Sequence, residues 1–380
     1  MTGSRLTEFE EMIVSNNHLD FAVGYPRLTS ISMQWERYKG IIATTEGLPS
    51  RQHQLGALRS SVHSLFNERI SDVAITYSGS VALERALSAL IPTDRSTLLV
   101  DPGFDIIDSF VRRVTPFPPC YLYLDPFTSH EETVKRLIKK IDRTIGAVVL
   151  VSPNNPSGLT LSQAELDQVG EACAAVDAVL IIDHCFILID PDDCHPGIAF
   201  DLSEKCRWAA IWDSSKTIEL LGERFGIVSG SFSELTAIRQ VLAEIQLELP
   251  MSSLVVMARA IDDLRSGAYL SELKKFIKSN YVQLSKVCSS VDVKINCPDA
   301  GSFALVAIDK QRFGTSEEAA RWLLSKKNVG VLPASLFYMS PNSAQSDFIR
   351  ISLARPPEIF SVMCEAIIAL ACALWPVALP

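Results

Sequence analysis

From about residue 72 the chain alternates short, almost wholly apolar runs with longer stretches whose apolar residues recur every three or four positions. The short runs, rich in Val, Ile and Leu, read as strands buried on both faces, and the longer period reads as helices packed against them. Candidate strands cover 73–77, 98–101, 121–124, 147–151, 179–183, 208–212 and 227–229. Stretches 131–141 and 162–175 read as amphipathic helices, the second opening on Thr160 and Ser162 ahead of Glu165 in a capping-box pattern. Strands alternating with helices predict an α/β fold on a mostly parallel, seven-stranded, doubly wound sheet. After about residue 265 the pattern changes to a long helix (270–287), two strand-like runs (302–308 and 348–353) and two further helices (316–326 and 357–374), which predict a smaller α+β domain. The first 40 residues carry no strong periodicity and read as an arm or short helix over the site. The expected division is therefore 1–40 arm, 41–265 large domain and 266–380 small C-terminal domain.

Composition narrows the partners. A chain of 380 residues that is 48% hydrophobic can bury a large core. The formal net charge of -9 and the lack of a Lys/Arg run argue against a nucleic-acid or anionic-membrane surface, leaving small solutes as the expected partners. The nine cysteines are scattered without a C-x-x-C pair, so neither a disulfide framework nor a metal site is expected, and a reducing cytoplasmic location fits. The start MTGSRLTEFEEM has acidic residues where a signal peptide has a basic start and an apolar core. Stretch 366–379 is too short to span a bilayer and is interrupted by Pro376; it reads as a buried terminal helix.

Four fragments carry chemistry. S-P-N-N-P-S-G (152–158) follows an apolar strand and precedes a helix, at the strand end where open α/β sheets bind ligands, although its residues also make an ordinary turn. V-L-I-I-D ends a buried strand on Asp183, a carboxylate that needs a cationic or hydrogen-bonding partner to stay ionised. W-D-S-S-K puts Lys216 just past another strand, with Arg224 eight residues on; a lysine there can equally be a solvated one. Y-S-G-S-V-A-L (77–83) puts small residues at a strand-to-helix turn, whose free N–H groups form an anion site.

In order, type and spacing these fragments resemble the aspartate aminotransferase superfamily, the class I/II, fold-type I enzymes that use pyridoxal 5'-phosphate (PLP), from about residue 72 to Arg350. The resemblance implies Lys216 as the Schiff-base lysine, Asp183 as partner of the pyridinium nitrogen, and Asn155 as a donor to the ring's O3'. It further implies Gly79, Ser80 and Val81, with Arg224, around the phosphate, Ser215 beside it, Phe104 of D-P-G-F-D stacked on the ring, and Arg350 of F-I-R-I-S-L-A on the substrate α-carboxylate. A homodimer is also implied. Two departures stand out: Phe186 replaces the usual tyrosine of D-x-x-Y, and Asp213 stands three residues before the lysine where many relatives carry Ser or Thr.

These departures, with L-T-E-F-E (6–10), D-F-A-V-G-Y (20–25) and R-I-S-L-A-R (350–355), resemble a narrower group, the PLP-dependent L-arginine oxidases and hydroxylases and the arginine-cyclising enzymes of the capreomycidine and enduracididine type. That likeness implies Thr7 and Glu10 on an N-terminal helix closing over the site, with Glu10 and Asp213 binding a guanidinium. It also implies Tyr25 at the substrate, at the position where the oxygen-using members carry a histidine, which tilts the expectation towards a non-oxidative route. That route is deprotonation of arginine or γ-hydroxyarginine at Cα and Cβ, with Lys216 as acid-base, γ-elimination and cyclisation to a cyclic guanidino amino acid. An oxygen-dependent arginine oxidase and an ordinary aminotransferase are the alternatives. His18 and His184 are further acid-base candidates.

Overall fold

Apolar runs of this kind form strands only where neighbours satisfy their backbone groups, and here they do so side by side. The computed structural model describes residues 5–15, 19–28, 50–66, 70, 72–128, 130–192, 198, 202, 206–219, 225–246, 248–340 and 346–373. The strands are β1 (Leu19–Asp20), β2 (Ala74–Thr76), β3 (Ser96–Asp101), β4 (Cys120–Tyr123), β5 (Ile145–Val151), β6 (Val179–Asp183), β7 (Trp208–Asp213), β8 (Gly226–Gly230), β9 (Phe303–Ala307), β10 (Val329–Gly330), β11 (Leu332–Pro333) and β12 (Phe348–Ser352). The helices are α1 (Arg5–Ser15), α2 (Arg51–Leu65), α3 (Gly79–Leu90), α4 (Asp105–Val114), α5 (His130–Lys140), α6 (Gln163–Ala175), α7 (Phe232–Ala243), α8 (Met251–Arg265), α9 (Ala268–Ser290), α10 (Lys310–Phe313), α11 (Ser316–Lys327) and α12 (Pro357–Cys372).

The seven expected strands form one sheet in the order β2-β8-β7-β6-β5-β3-β4, in which only β8 runs antiparallel to its neighbours. Apolar side chains fill both of its faces, as a helix-covered parallel sheet requires. The register aligns the carboxyl ends of the central strands: Val151 of β5 lies beside Asp183 of β6, and Asp183 beside Ile211 of β7. β3 starts at Ser96, before the apolar run, because its backbone already pairs with Ile145; pairing sets a strand's start where hydrophobicity alone points further in. Ser162 caps α6 in the expected box with Glu165, whereas Thr160 instead donates to the Gly158 carbonyl. Leu374, at the end of the expected terminal helix, lies outside the described residues, and α12 closes at Cys372.

A second, antiparallel sheet of order β11-β12-β9 packs Ile349 and Ile351 into its own apolar core with α9, α11 and α12. The opposite face of β12 presents Phe348, Arg350 and Ser352, and Phe348 packs with Leu6, Ile13 and Ala22 from the N-terminal segment. That segment is tied on through β1, which pairs in parallel with β10.

An ionic cluster ties the start of α5, the cap of α6 and the loop before β9 together. His130, at the start of α5, bonds Asp299 through Nδ1 at 3.1 Å and Glu165 of the α6 cap through Nε2 at 2.9 Å. Asp299 also accepts from the Thr160 amide, and the amides of Asp299 and Ala300 donate to the Gly158 carbonyl. Asp299 first, then Glu165, raises the His130 pKa to about 9. A raised histidine pKa means the folded state holds the proton more tightly, so the stabilisation is complete below about pH 6.5 and fades as pH rises through about 9. His130→Gln should therefore lower the melting temperature at pH 6 and narrow its gap to the wild type by pH 9.5, as scanning calorimetry across that range would measure.

Candidate active site

The aligned strand ends open on a cavity of about 280 Å³. Lys216 enters it from a single turn of 3-10 helix (Ser214–Lys216) directly after β7, Asp183 from the end of β6, and Asn155 from the loop after β5. From the opposite wall come Arg350 of β12, Glu10 of α1 and Tyr25. Gly79 and Ser80 at the start of α3, Phe104 before α4, Phe186, Asp213 and Ser215 complete the expected residues that line it. Val81 takes part through its backbone, its amide donating to the Ser78 cap, and is not among the lining residues. The side chain of Thr7, and all of Arg224 and His18, lie outside the described residues.

Arg350 is 1% exposed, and its guanidinium is solvated by protein instead of water. Nη1 donates to Asn155 Oδ1 at 2.6 Å, Nη2 to the Ala22 carbonyl and to Glu10 Oε1, the last at 3.3 Å, while Nε has no partner among the described residues. Phe303 lies 4.0 Å and Phe337 5.0 Å from the guanidinium carbon, so two aromatic faces supply cation-π contact. Burial lowers the Arg350 pKa to about 10 and raises that of Glu10 against the pull of Arg350 and Lys216.

Asp183 accepts from the Cys185 amide at 2.9 Å, and burial, reinforced by Asp213, raises its pKa. His184, one residue on, points away from the cavity: its Nδ1 bonds the Ser152 carbonyl, and burial lowers its pKa to about 4, so it is a neutral structural group and not an acid-base candidate. Asp213 ties the turn after β7 to the start of α3: Oδ1 accepts from the Ser215 amide and hydroxyl, and Oδ2 from the Gly79 amide at 2.6 Å. Glycine is required at 79, because a Cβ there would stand 2.6 Å from that of Asp213. The Lys216 ammonium lies 4.0 Å from the centre of the Tyr25 ring.

Phe186 meets Phe303 edge to face at 5.0 Å, so the aromatic residue that replaces tyrosine belongs to the floor that carries Arg350. A Cβ on Gly24 would come within 2.8 Å of the Phe303 ring, which brings the backbone of the 20–25 segment hard against that floor. Phe303, Phe337, the Ala22 carbonyl and Cys185 are site groups that sequence reasoning missed. Aromatics in apolar runs and a backbone oxygen carry no distinguishing signal.

The chain matches the model of the aminotransferase class I and II family over residues 40–367. It belongs to that family. Class I and II aminotransferases are enzymes that use pyridoxal 5'-phosphate and act on small amino acids. Human kynurenine–oxoglutarate transaminase 1 is 22% identical over 78% of this chain and 76% of its own length. Among solved structures, a methionine aminotransferase from Escherichia coli superposes with a TM-score of 0.82 at 17% identity, covering 97% of both chains. The enzyme MppP, solved with the product 2-ketoarginine soaked in, superposes with a TM-score of 0.76 at 22% identity over 93% of this chain and 99% of its own.

In this family member a second buried arginine shapes the site. Arg355 donates to the carbonyls of Asp20, Val23 and Tyr25 at 2.7–2.8 Å and lies 3.6 Å from the Asp20 carboxylate, which in turn accepts the Ala22 and Val23 amides. The segment holding Ala22 over Arg350 and Tyr25 over Lys216 is thus wrapped around one guanidinium. Arg355→Met should destabilise the protein by about 3–5 kcal/mol in urea unfolding, since it leaves the carbonyls of Asp20, Val23 and Tyr25 without their donor and the Asp20 carboxylate with Arg27 alone, at 3.0 Å.

Proposed function

We propose that this enzyme acts on L-arginine or γ-hydroxy-L-arginine and converts the hydroxylated substrate, through deprotonation at Cα and Cβ and loss of the γ-hydroxyl as water, to a cyclic guanidino amino acid. The observation that carries the reading is the company of Lys216 and Arg350: the carboxylates of Glu10 and Asp213 line the same cavity. With Arg350 on an α-carboxylate, Glu10 and Asp213 would be the acids within the cavity open to the substrate's guanidinium, which takes carboxylates in bidentate pairs.

The residues fit the cofactor. Asp183 is a buried carboxylate whose raised pKa reports the want of a cation, which the protonated ring nitrogen supplies. Gly79, Ser80 and Val81 offer the first amides of a twelve-residue helix, the natural seat of a phosphate. Arg224 and Ser215 would add to that seat. Asp213 now accepts the Gly79 amide, so an anion bound there would turn this carboxylate outward, towards the substrate. Phe104 would stack on the ring, Asn155 would reach it while holding Arg350, and Phe186 leaves O3' without the usual tyrosine donor. When bound, PLP supplies an electron sink that acidifies the protons on Cα and then Cβ.

Lys216 would hold the cofactor and, once released from it, move protons at Cα and Cβ. Tyr25 roofs its ammonium with a ring that carries no imidazole, the feature behind the non-oxidative reading. Glu10 and Asp213, with Thr7, would orient the guanidine so that its nitrogen reaches Cγ, and closure of the N-terminal helix would exclude water. We also propose the division of residues 1–40, 41–265 and 266–380 into arm, large domain and small domain, and a homodimeric assembly like that common in the family. The likeness to MppP favours a second reading, an oxidative route to 2-ketoarginine, and the transaminases among the relatives favour a conventional amino-group transfer.

The deciding experiment adds L-arginine, then γ-hydroxy-L-arginine, to the holoenzyme while following cofactor absorbance, dissolved oxygen and product mass. Loss of water from the hydroxylated substrate without oxygen uptake is expected. Oxygen uptake with arginine would move the assignment to an oxidase, and turnover that requires a 2-oxo acid would make it a transaminase. Lys216→Ala should abolish the substrate-dependent spectral change and reduce turnover by about 10²–10⁴-fold, the usual worth of a positioned acid-base.

A further inference from the structure

We propose that Glu10 occupies the place of the substrate carboxylate on Arg350, so that binding is an exchange of partners which favours amino acids bringing a second positive charge. The proposal rests on the reading of Arg350 as the α-carboxylate clamp.

Among the described residues, Glu10 is the acidic side chain bonded to the Arg350 guanidinium, at 3.3 Å from Nη2. The other two Arg350 acceptors, Asn155 Oδ1 and the Ala22 carbonyl, are neutral. The charges facing the cavity besides this pair are Asp183, Asp213 and Lys216. A substrate carboxylate landing on Arg350 with Glu10 in place would crowd a second anion onto one buried guanidinium, in a cavity that already contains two further acids, and like charges that close cannot both stay ionised at low cost. Glu10 must therefore leave Arg350. It can do so by side-chain rotation, because α1 is held independently: Leu6 and Ile13 are buried in the apolar cluster with Phe337 and Phe348.

The displaced carboxylate then decides which substrates stay. The Glu10 side chain is only 17% exposed where it now stands, and the buried Leu6 and Ile13 keep its helix there, so a rotated carboxylate that finds no cation is costly. A guanidinium side chain restores a cation to it, so both original charges end paired. A neutral side chain frees Glu10 and returns nothing. Selectivity thus comes from a penalty on the wrong substrate as well as from a contact with the right one.

This separates the exchange from a Glu10 that merely touches the guanidinium. If Glu10 only adds a contact, its removal weakens arginine and leaves neutral amino acids unaffected. If it also blocks Arg350, its removal strengthens them. The holoenzyme and its Glu10→Gln and Glu10→Ala variants would be titrated with L-arginine, the neutral isostere L-citrulline, and L-norvaline, with dissociation constants taken from the cofactor absorbance and folding checked by melting temperature. In both variants arginine is expected to weaken by about 10-fold and citrulline and norvaline to tighten by about 10-fold, which compresses the preference for arginine about 100-fold. Unchanged or weaker binding of the neutral pair in a folded variant, with arginine still weakened, would overturn the exchange while leaving the arginine reading intact. Wild-type enzyme that binds norvaline as tightly as arginine would overturn both.

Discussion

A guanidinium stripped of water has to be re-solvated by whatever surrounds it, and the burial of Arg350 imposes that demand on three separate parts of the chain. The loop after β5 answers with Asn155, the N-terminal segment with the Ala22 carbonyl and Glu10, and the aromatic residues Phe303 and Phe337 with their faces. Breaking any one leaves charge uncompensated in a dry place, where removing a partner costs far more than the pair itself is worth. The small sheet, the cofactor-side loop and the arm are therefore registered against one another by a single side chain. Nε has no partner among the described residues, so the group has a donor to offer an incoming acceptor.

Arg355 does for the backbone what Arg350 does for the cavity. Spaced five residues apart across the end of β12, the two guanidiniums face the same stretch, one capping the carbonyls of 20–25 and the other receiving Ala22. A segment with only two residues of strand pairing gains its order from these bonds and from Gly24, whose missing side chain admits the Phe303 ring. Tyr25 over Lys216 is the consequence at the chemical end.

Much of this was legible in the residues. Strands buried on both faces announce themselves as continuous apolar runs, and the fragments that end them, from Asp183 to Lys216, sit together because a parallel sheet brings its carboxyl ends to one edge. Asn155 and Arg350 were readable as separate site residues, yet nothing in their spacing, 195 positions apart, tells that they bond each other. Tertiary partners that are backbone atoms or ordinary core aromatics leave no periodic trace, so Ala22, Phe303 and Phe337 escaped. His184 was readable either as a spare acid-base group or as a structural histidine, and its bond to the Ser152 carbonyl favours the structural reading.

The substitution of phenylalanine for tyrosine at 186 is best understood with the charges counted. Among the described residues, three carboxylates, Glu10, Asp183 and Asp213, meet two cations, Lys216 and Arg350, in one cavity of about 280 Å³. In the reading proposed above, the family's cofactor would take up Asp183 through its ring nitrogen and bring its own anionic phosphate to the Gly79 end. What remains is an excess of acid towards the substrate, and a further ionisable phenol would do nothing to offset it. A phenylalanine instead strengthens the apolar floor under Arg350 through Phe303 and lowers the local dielectric, which raises the cost of leaving Glu10 or Asp213 without a cation. An apolar floor and an acidic wall work in the same direction: each supports the proposal that a positively charged side chain is the partner this cavity takes.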